Sequence, residues 1–217
     1  MFALSVRSNF SFLKGASHPE ELVGEAARLH YAGIGIADEN TLAGVVRGFA
    51  MAREVLKLDP SFRYLVGCRL VFSDGTPDLV VYPRDRKAYG MLCRMLSEGK
   101  AKSGEKGACQ LKFEDFLFRA RGFQIIVTDG EKLEDTLKNL QQVAKGQVFL
   151  GLPMNFTGKD ARYGEYLATM AKNFNVGLIA AADILYHSEE RRILQDILTA
   201  IRLHKTIDGS RLCASSQ

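Results

Sequence analysis

Apolar and polar positions along this chain fall into two alternating regimes. Short apolar runs of strand length recur at 2–6, 33–37, 64–72, 78–82, 123–128, 147–152 and 176–181. Between most of them, apolar residues return at helical spacing, near 20–31, 42–56, 85–97, 113–121, 131–144 and 160–173, with a last such stretch at 189–203. The first helix is well signalled: Ser17 and Glu20 have the spacing of a capping box, Pro19 suits a first turn, and Leu22, Ala26 and Leu29 share one face. Seven strands alternating with helices predict a mostly parallel α/β sheet, either closed as a barrel or open and doubly wound. Near-continuous apolar strands favour parallel neighbours covered by helices.

The 217 residues suffice for one sizeable domain, expected over 1–206. The stretch 207–217, DGSRLCASSQ after Ile207, has lost periodicity and reads as the start of a linker towards a further body. Neither a membrane span nor a signal peptide is visible, and Cys68, Cys93, Cys109 and Cys213 form no CxxC pair, so a cytoplasmic protein with free thiols is expected. A net charge of +4 permits contact with nucleic acid without demanding it. The 99–107 segment, with Lys100, Lys102 and Lys106 among three glycines, reads as a surface loop; no GxGxxG or GK[ST] fingerprint follows a strand.

In a parallel α/β barrel, chemistry gathers where strands end. The strand-end residues here are Ser5, Arg7, Asp38, Glu39, Arg69, Asp78, Asp129 and Asp183, and the four histidines, His18, His30, His187 and His204, stand far apart. In the first strand, Phe2, Leu4 and Val6 share one face and Ala3, Ser5 and Arg7 the other, which in a barrel would point inward. Such carboxylates and guanidinia could act as catalytic acids, metal ligands or internal ion pairs; capping helices and loop backbones is the blander duty of Asp at these places. His187, just before the last helix, is expected in a turn or cap.

SVRSNFSFLKGASHPEELV at 5–23, GIADENTLAGVVRGF at 35–49, LVGCRLVF at 65–72 and AADILYHSEERRILQDILTAIRLH at 181–204 resemble the N-terminal polymerase-and-histidinol-phosphatase (PHP) domain of bacterial C-family DNA polymerases, in wording nearest the error-prone branch. The resemblance implies a distorted seven-stranded (βα) barrel. It also implies a metal site, whose ligands map poorly. The family's opening His-x-His falls on Ser5-Val6-Arg7, its next aspartate on Lys14, and the histidine after the second-strand aspartate on Glu39. The third-strand glutamate falls on Arg69 and the fourth-strand histidine on Asp78. The closing Asp-x-His falls on Asp183-Ile184-Leu185, so Leu185 replaces a ligand, and the fifth-strand ligand lies near Asp129. Arg7, Lys14 and Arg69 have no lone pair to offer and repel a cation.

The leading expectation is therefore a scaffold domain without catalytic residues or cofactor of its own, in which Arg7, Lys14, Asp38, Glu39, Arg69, Asp78 and Asp183 neutralise each other as an ion-pair network. The resemblance places Mg2+-dependent nucleotidyl transfer in a polymerase body of the same protein. It also implies template–primer DNA and accessory replication or mutagenesis proteins as partners, in replication and damage-induced translesion synthesis, with no membrane. The alternative is an active metal-dependent phosphoesterase or 3′–5′ exonuclease, which would need the missing paired histidines. A third reading is a DNA-binding module through Arg84, Arg86, Lys87, Lys100, Lys102 and Lys106, although no alternation with aromatics marks a base-stacking platform. The apolar stripe of the last helix, Ile193, Leu194, Ile197, Leu198 and Ile201, is expected to pack mostly inward.

Overall fold

A computed structural model describes residues 1–153 and 160–206, so the expected linker at 207–217 lies outside the described residues. The elements follow in the predicted order: β1 (Phe2–Val6), α1 (Pro19–Arg28), β2 (Gly33–Glu39), α2 (Val45–Leu58), β3 (Arg63–Leu70), β4 (Leu79–Pro83), α3 (Arg86–Ser103), α4 (Phe113–Leu117), β5 (Phe123–Val127), α5 (Leu133–Val143), β6 (Val148–Leu152), α6 (Asp160–Asn173), β7 (Gly177–Ala180) and α7 (Arg192–Leu203). The seven strands form one sheet ordered as in the chain. β1–β2, β5–β6 and β6–β7 pair in parallel, whereas β4 runs antiparallel to both β3 and β5. The cause is length. A parallel crossover takes a dozen or more residues, and the helix-free segment 71–78 is too short for one. The fold class is the mostly parallel α/β type that was expected, with one reversed strand. Among the described residues no helix is long and apolar enough to cross a membrane.

The chain divides into two compact units, Met1–Val66 with the residues from Ala182 onward, and Gly67–Ala181. In the first unit, Val6, Leu22, Val23, Ile34, Ile36, Ala52 and Phe62 form a buried cluster. Gly33 is required there: a Cβ would lie 2.2 Å from the Arg63 carbonyl oxygen and 2.5 Å from the Phe2 ring. Helix α1 begins one residue later than its sequence signal. His18 is the N-cap, and its amide donates to the Glu21 carboxylate at 2.8 Å, while Ser17 is drawn away to His187. Val23 is buried where Leu29 was expected, and Leu29 is half exposed.

Strict alternation in β1 also fails. Ala3 faces Ile34 and Val6 faces Ile36, so β1 carries one extra residue there, and Ser5 takes a left-handed φ of 60°. This bulge brings Val6 into the same apolar cluster as Ala3. In α7 the expectation is reversed: Gln195 and Ala200 are buried, whereas Ile193 is 67% and Ile201 53% exposed.

In the second unit, β3–β7 carry Leu70, Leu79, Ile125 and Leu150 into a core closed by Leu92 of α3, Leu137 and Leu140 of α5 and Leu167 of α6. Phe116 bridges Phe72 and Phe123 with ring centroids 6.4 and 5.6 Å away. Asp85 caps α3 by accepting from the Ala88 amide at 2.7 Å, and Gly104, with a φ of 67°, ends it. The helix thus outruns its expected end at 97, and Lys100 and Lys102 belong to its last turns rather than to a loop.

Candidate functional site

In the first unit the sheet edge beyond the β1 bulge gathers three of the charged strand-end residues together with Lys14. Val6 bridges in parallel to Ile184, the Arg7 amide donates to the Ile184 carbonyl at 2.9 Å, and the Ala16 amide donates to the Leu185 carbonyl at 2.8 Å. This backbone pairing sets Asp183 against Arg7, whose guanidinium donates to its carboxylate. Arg7 also lies 3.7 Å from Glu39 at the end of β2, and Glu39 receives the Lys14 ammonium at 2.5 Å. Arg7, Lys14, Glu39 and Asp183 are one connected set, two cations with two carboxylates. Leu185 contributes its backbone, and Ser5 is buried in the bulge.

Asp38 turns into a hydroxyl cradle. Its carboxylate accepts from the Ser8 amide, the Ser8 hydroxyl and the Ser11 hydroxyl, each at 2.7 Å. Burial pushes its pKa up, and these hydrogen bonds pull against the shift without cancelling it. Ser8 and Ser11 are themselves fully buried, and the Ser11 oxygen accepts the Glu39 amide at 3.0 Å. Sequence reasoning missed both serines; their closeness to Asp38 depends on the return of the chain through α1 and β2.

The second unit holds its own pair. Arg69, 6% exposed near the end of β3, lies 3.4 Å from Asp78. Because β4 is reversed, its first residue pairs with Leu70 and with Val127, so Asp78 stands at the edge where β3 and β5 end. Thr128 donates to the Asp78 carbonyl through its amide and its hydroxyl, at 3.0 and 2.9 Å. Asp129 accepts the Gly130 amide at 2.9 Å. Burial, with the Asp129 carboxylate beside it, pushes the Tyr163 phenol upward.

All four histidines stand at helix boundaries. His18 caps α1 at its start, His30 and His204 take left-handed φ values of 58° and 53° after α1 and α7, and His187 precedes a 3-10 turn at Glu189–Arg191. The Ser17 hydroxyl meets His187 Nδ1 at 2.7 Å and accepts the His187 amide at 3.0 Å, the turn role expected for this residue. Among the described residues no three His, Cys, Asp or Glu side chains converge as a metal ion would need. A multinuclear divalent cluster does not fit these donors, since the carboxylates of Glu39 and Asp183 already face cationic side chains.

A family model described as the PHP domain matches residues 3–180. The chain belongs to the PHP domain family. This PHP domain is 52% identical over 210 residues to the error-prone DNA polymerase of Brucella abortus biovar 1 (strain 9-941), covering 95% of the chain and 19% of that polymerase. It is 44% identical to the error-prone DNA polymerase of Rhodopseudomonas palustris (strain BisB5), covering 99% and 20%. The chain thus spans about a fifth of the length of these relatives. In fold it is similar to an amidohydrolase from Chromobacterium violaceum, with a TM-score of 0.63 at 14% identity, covering 85% of this chain and 87% of that one.

Proposed function

We propose that this PHP domain is a catalytically inactive, metal-free scaffold in the N-terminal region of an error-prone DNA polymerase. The parent protein would carry out nucleotidyl transfer in the cytoplasm, in replication and damage-induced translesion synthesis. Template–primer DNA and Mg2+ would be held by carboxylates of a polymerase body outside this segment, with accessory replication or mutagenesis proteins as further partners. The parent assignment draws on the relatives named above. The proposed loss of phosphoesterase chemistry is supported by one observation: Arg7 and Lys14, which the resemblance sets at ligand positions of the family's metal site, are bonded to Asp183 and Glu39, acids a metal would need.

A guanidinium between two carboxylates supplies the positive charge that a divalent ion would otherwise bring, and without a metal no water there is activated for attack on a phosphate. Docking onto the polymerase body is supported by α7, whose Ile193, Ile197 and Ile201 form an apolar stripe exposed among the described residues. The deciding experiment saturates the chain with zinc and manganese, dialyses it, and measures bound metal together with phosphodiester turnover. Neither stoichiometric metal nor turnover is expected. Metal retained at one or more equivalents and released by Asp183→Asn would overturn the proposal, as would turnover abolished by that variant.

A further inference from the structure

The net charge of the whole chain is +4, from 29 basic and 25 acidic residues. Helix α3 alone carries Arg86, Lys87, Arg94, Lys100 and Lys102 against Glu98, so the rest of the chain holds equal numbers of each sign. Ala88, Leu92, Met95 and Leu96 form the buried face of the helix, and Arg86, Gly90 and Arg94 repeat at four-residue intervals on the other side. There, Arg86, Lys87, Gly90, Met91 and Arg94 line a half-open cleft of about 440 Å³ together with Arg119. Of these cations, Arg119 is tied down, donating to the Asp115 carbonyl and lying 3.8 Å from Glu98. Lys102 lies 3.3 Å from Asp115, and Arg86, Lys87 and Arg94 carry the charge that faces the cleft.

We infer that this cleft is a binding site for the phosphodiester backbone of DNA, carried by the outer face of α3. Eight residues of helix set Arg86 and Arg94 roughly 12 Å apart along the axis. A lone phosphate would satisfy only one end of such a row. A DNA strand, with a charge about every 3.4 Å of helix axis, presents several phosphates over that length. Met91 and Gly90 give the floor no hydrogen-bonding group to read a base, so the binding is independent of sequence. The site lies within the Gly67–Ala181 unit and does not depend on whether Arg7 has displaced a metal.

Gly90 supplies the test. A Cβ there meets nothing within 4 Å, so Gly90→Glu puts a negative charge on the floor of the cleft without a clash, and Gly90→Gln is its neutral control. Binding of the full chain to a labelled 20-nucleotide single strand and a 20-base-pair duplex is followed by fluorescence anisotropy across a potassium chloride series. Three phosphate contacts, from Arg86, Lys87 and Arg94, predict a slope of log K against log salt of roughly −2 for the single strand and roughly −2.7 for the duplex. The arm that binds more tightly at matched salt identifies which form of DNA is held. Gly90→Glu and Arg94→Ala are each expected to weaken binding about tenfold and to flatten the slope by about one, with Gly90→Gln and the surface control Lys172→Ala near wild type. Equal binding by wild type and Gly90→Glu, a loss in Lys172→Ala matching that in Arg94→Ala, or equal competition by polyglutamate at matched charge would each overturn the inference.

Discussion

Removing the Arg7 guanidinium is expected to destabilise the first unit by about 2 kcal/mol, and the geometry sets that figure between two limits. Breaking a fully buried ion pair costs about 3–5 kcal/mol because the partner is left uncompensated, while an exposed pair contributes about 0–1 kcal/mol. The Arg7 side chain is 12% exposed and Glu39 21%, near the buried limit, but Asp183 is 42% exposed and can be rehydrated. Glu39 moreover keeps Lys14 at 2.5 Å when Arg7 is lost. Arg7→Met preserves most of the aliphatic stem, so packing loss stays small. For a chain of this size about 2 kcal/mol lowers the melting temperature by roughly 4–8 °C. Urea unfolding of wild type, Arg7→Met, Asp183→Asn and the double variant closes a thermodynamic cycle, in which a coupling of about 1 kcal/mol is expected. If Arg7→Met unfolds within 0.5 kcal/mol of wild type, or the two losses simply add, the pairs contribute nothing and the electrostatic account of this edge is wrong.

Two further expectations concern the backbone and the acid limb of stability. Gly24→Ala in α1, where a Cβ meets nothing within 4 Å, should raise stability by about 0.5–1 kcal/mol, whereas Gly33→Ala, 2.2 Å from the Arg63 carbonyl, should lower it by at least about 1–3 kcal/mol; calorimetry showing both changes of the same sign would contradict the close strand approach. The raised pKa of Asp38 means that the folded state holds its proton more tightly than the unfolded chain, so its contribution is greatest below the ordinary value of 3.8 and is lost as pH rises through the folded value. Urea midpoints measured from pH 3 upward should therefore fall for wild type relative to Asp38→Asn across that window, and parallel profiles would refute the shift.

Hydrophobic spacing by itself determined the number, order and type of the elements, because burial of one helical stripe or one apolar strand is a local property of the residues that form it. The cations Arg7, Lys14 and Arg69 were equally legible, since side-chain charge needs no geometry to be read. Partnership was not legible. The bulge at Ser5 depends on how β1 registers against β2, and it reverses the facing that alternation assigns to Val6. Asp38 meets Ser8 and Ser11 only after the chain has returned through α1 and β2, so it joined a hydroxyl cradle that no spacing announces. The reversal of β4 carried Asp78 to the edge where β3 ends, beside Arg69. Spacing in α7 marked an apolar stripe and could not say whether a neighbour covers it, and tertiary packing left that stripe exposed. Periodicity records what a segment prefers to bury; register, strand direction and long-range return decide which groups meet there.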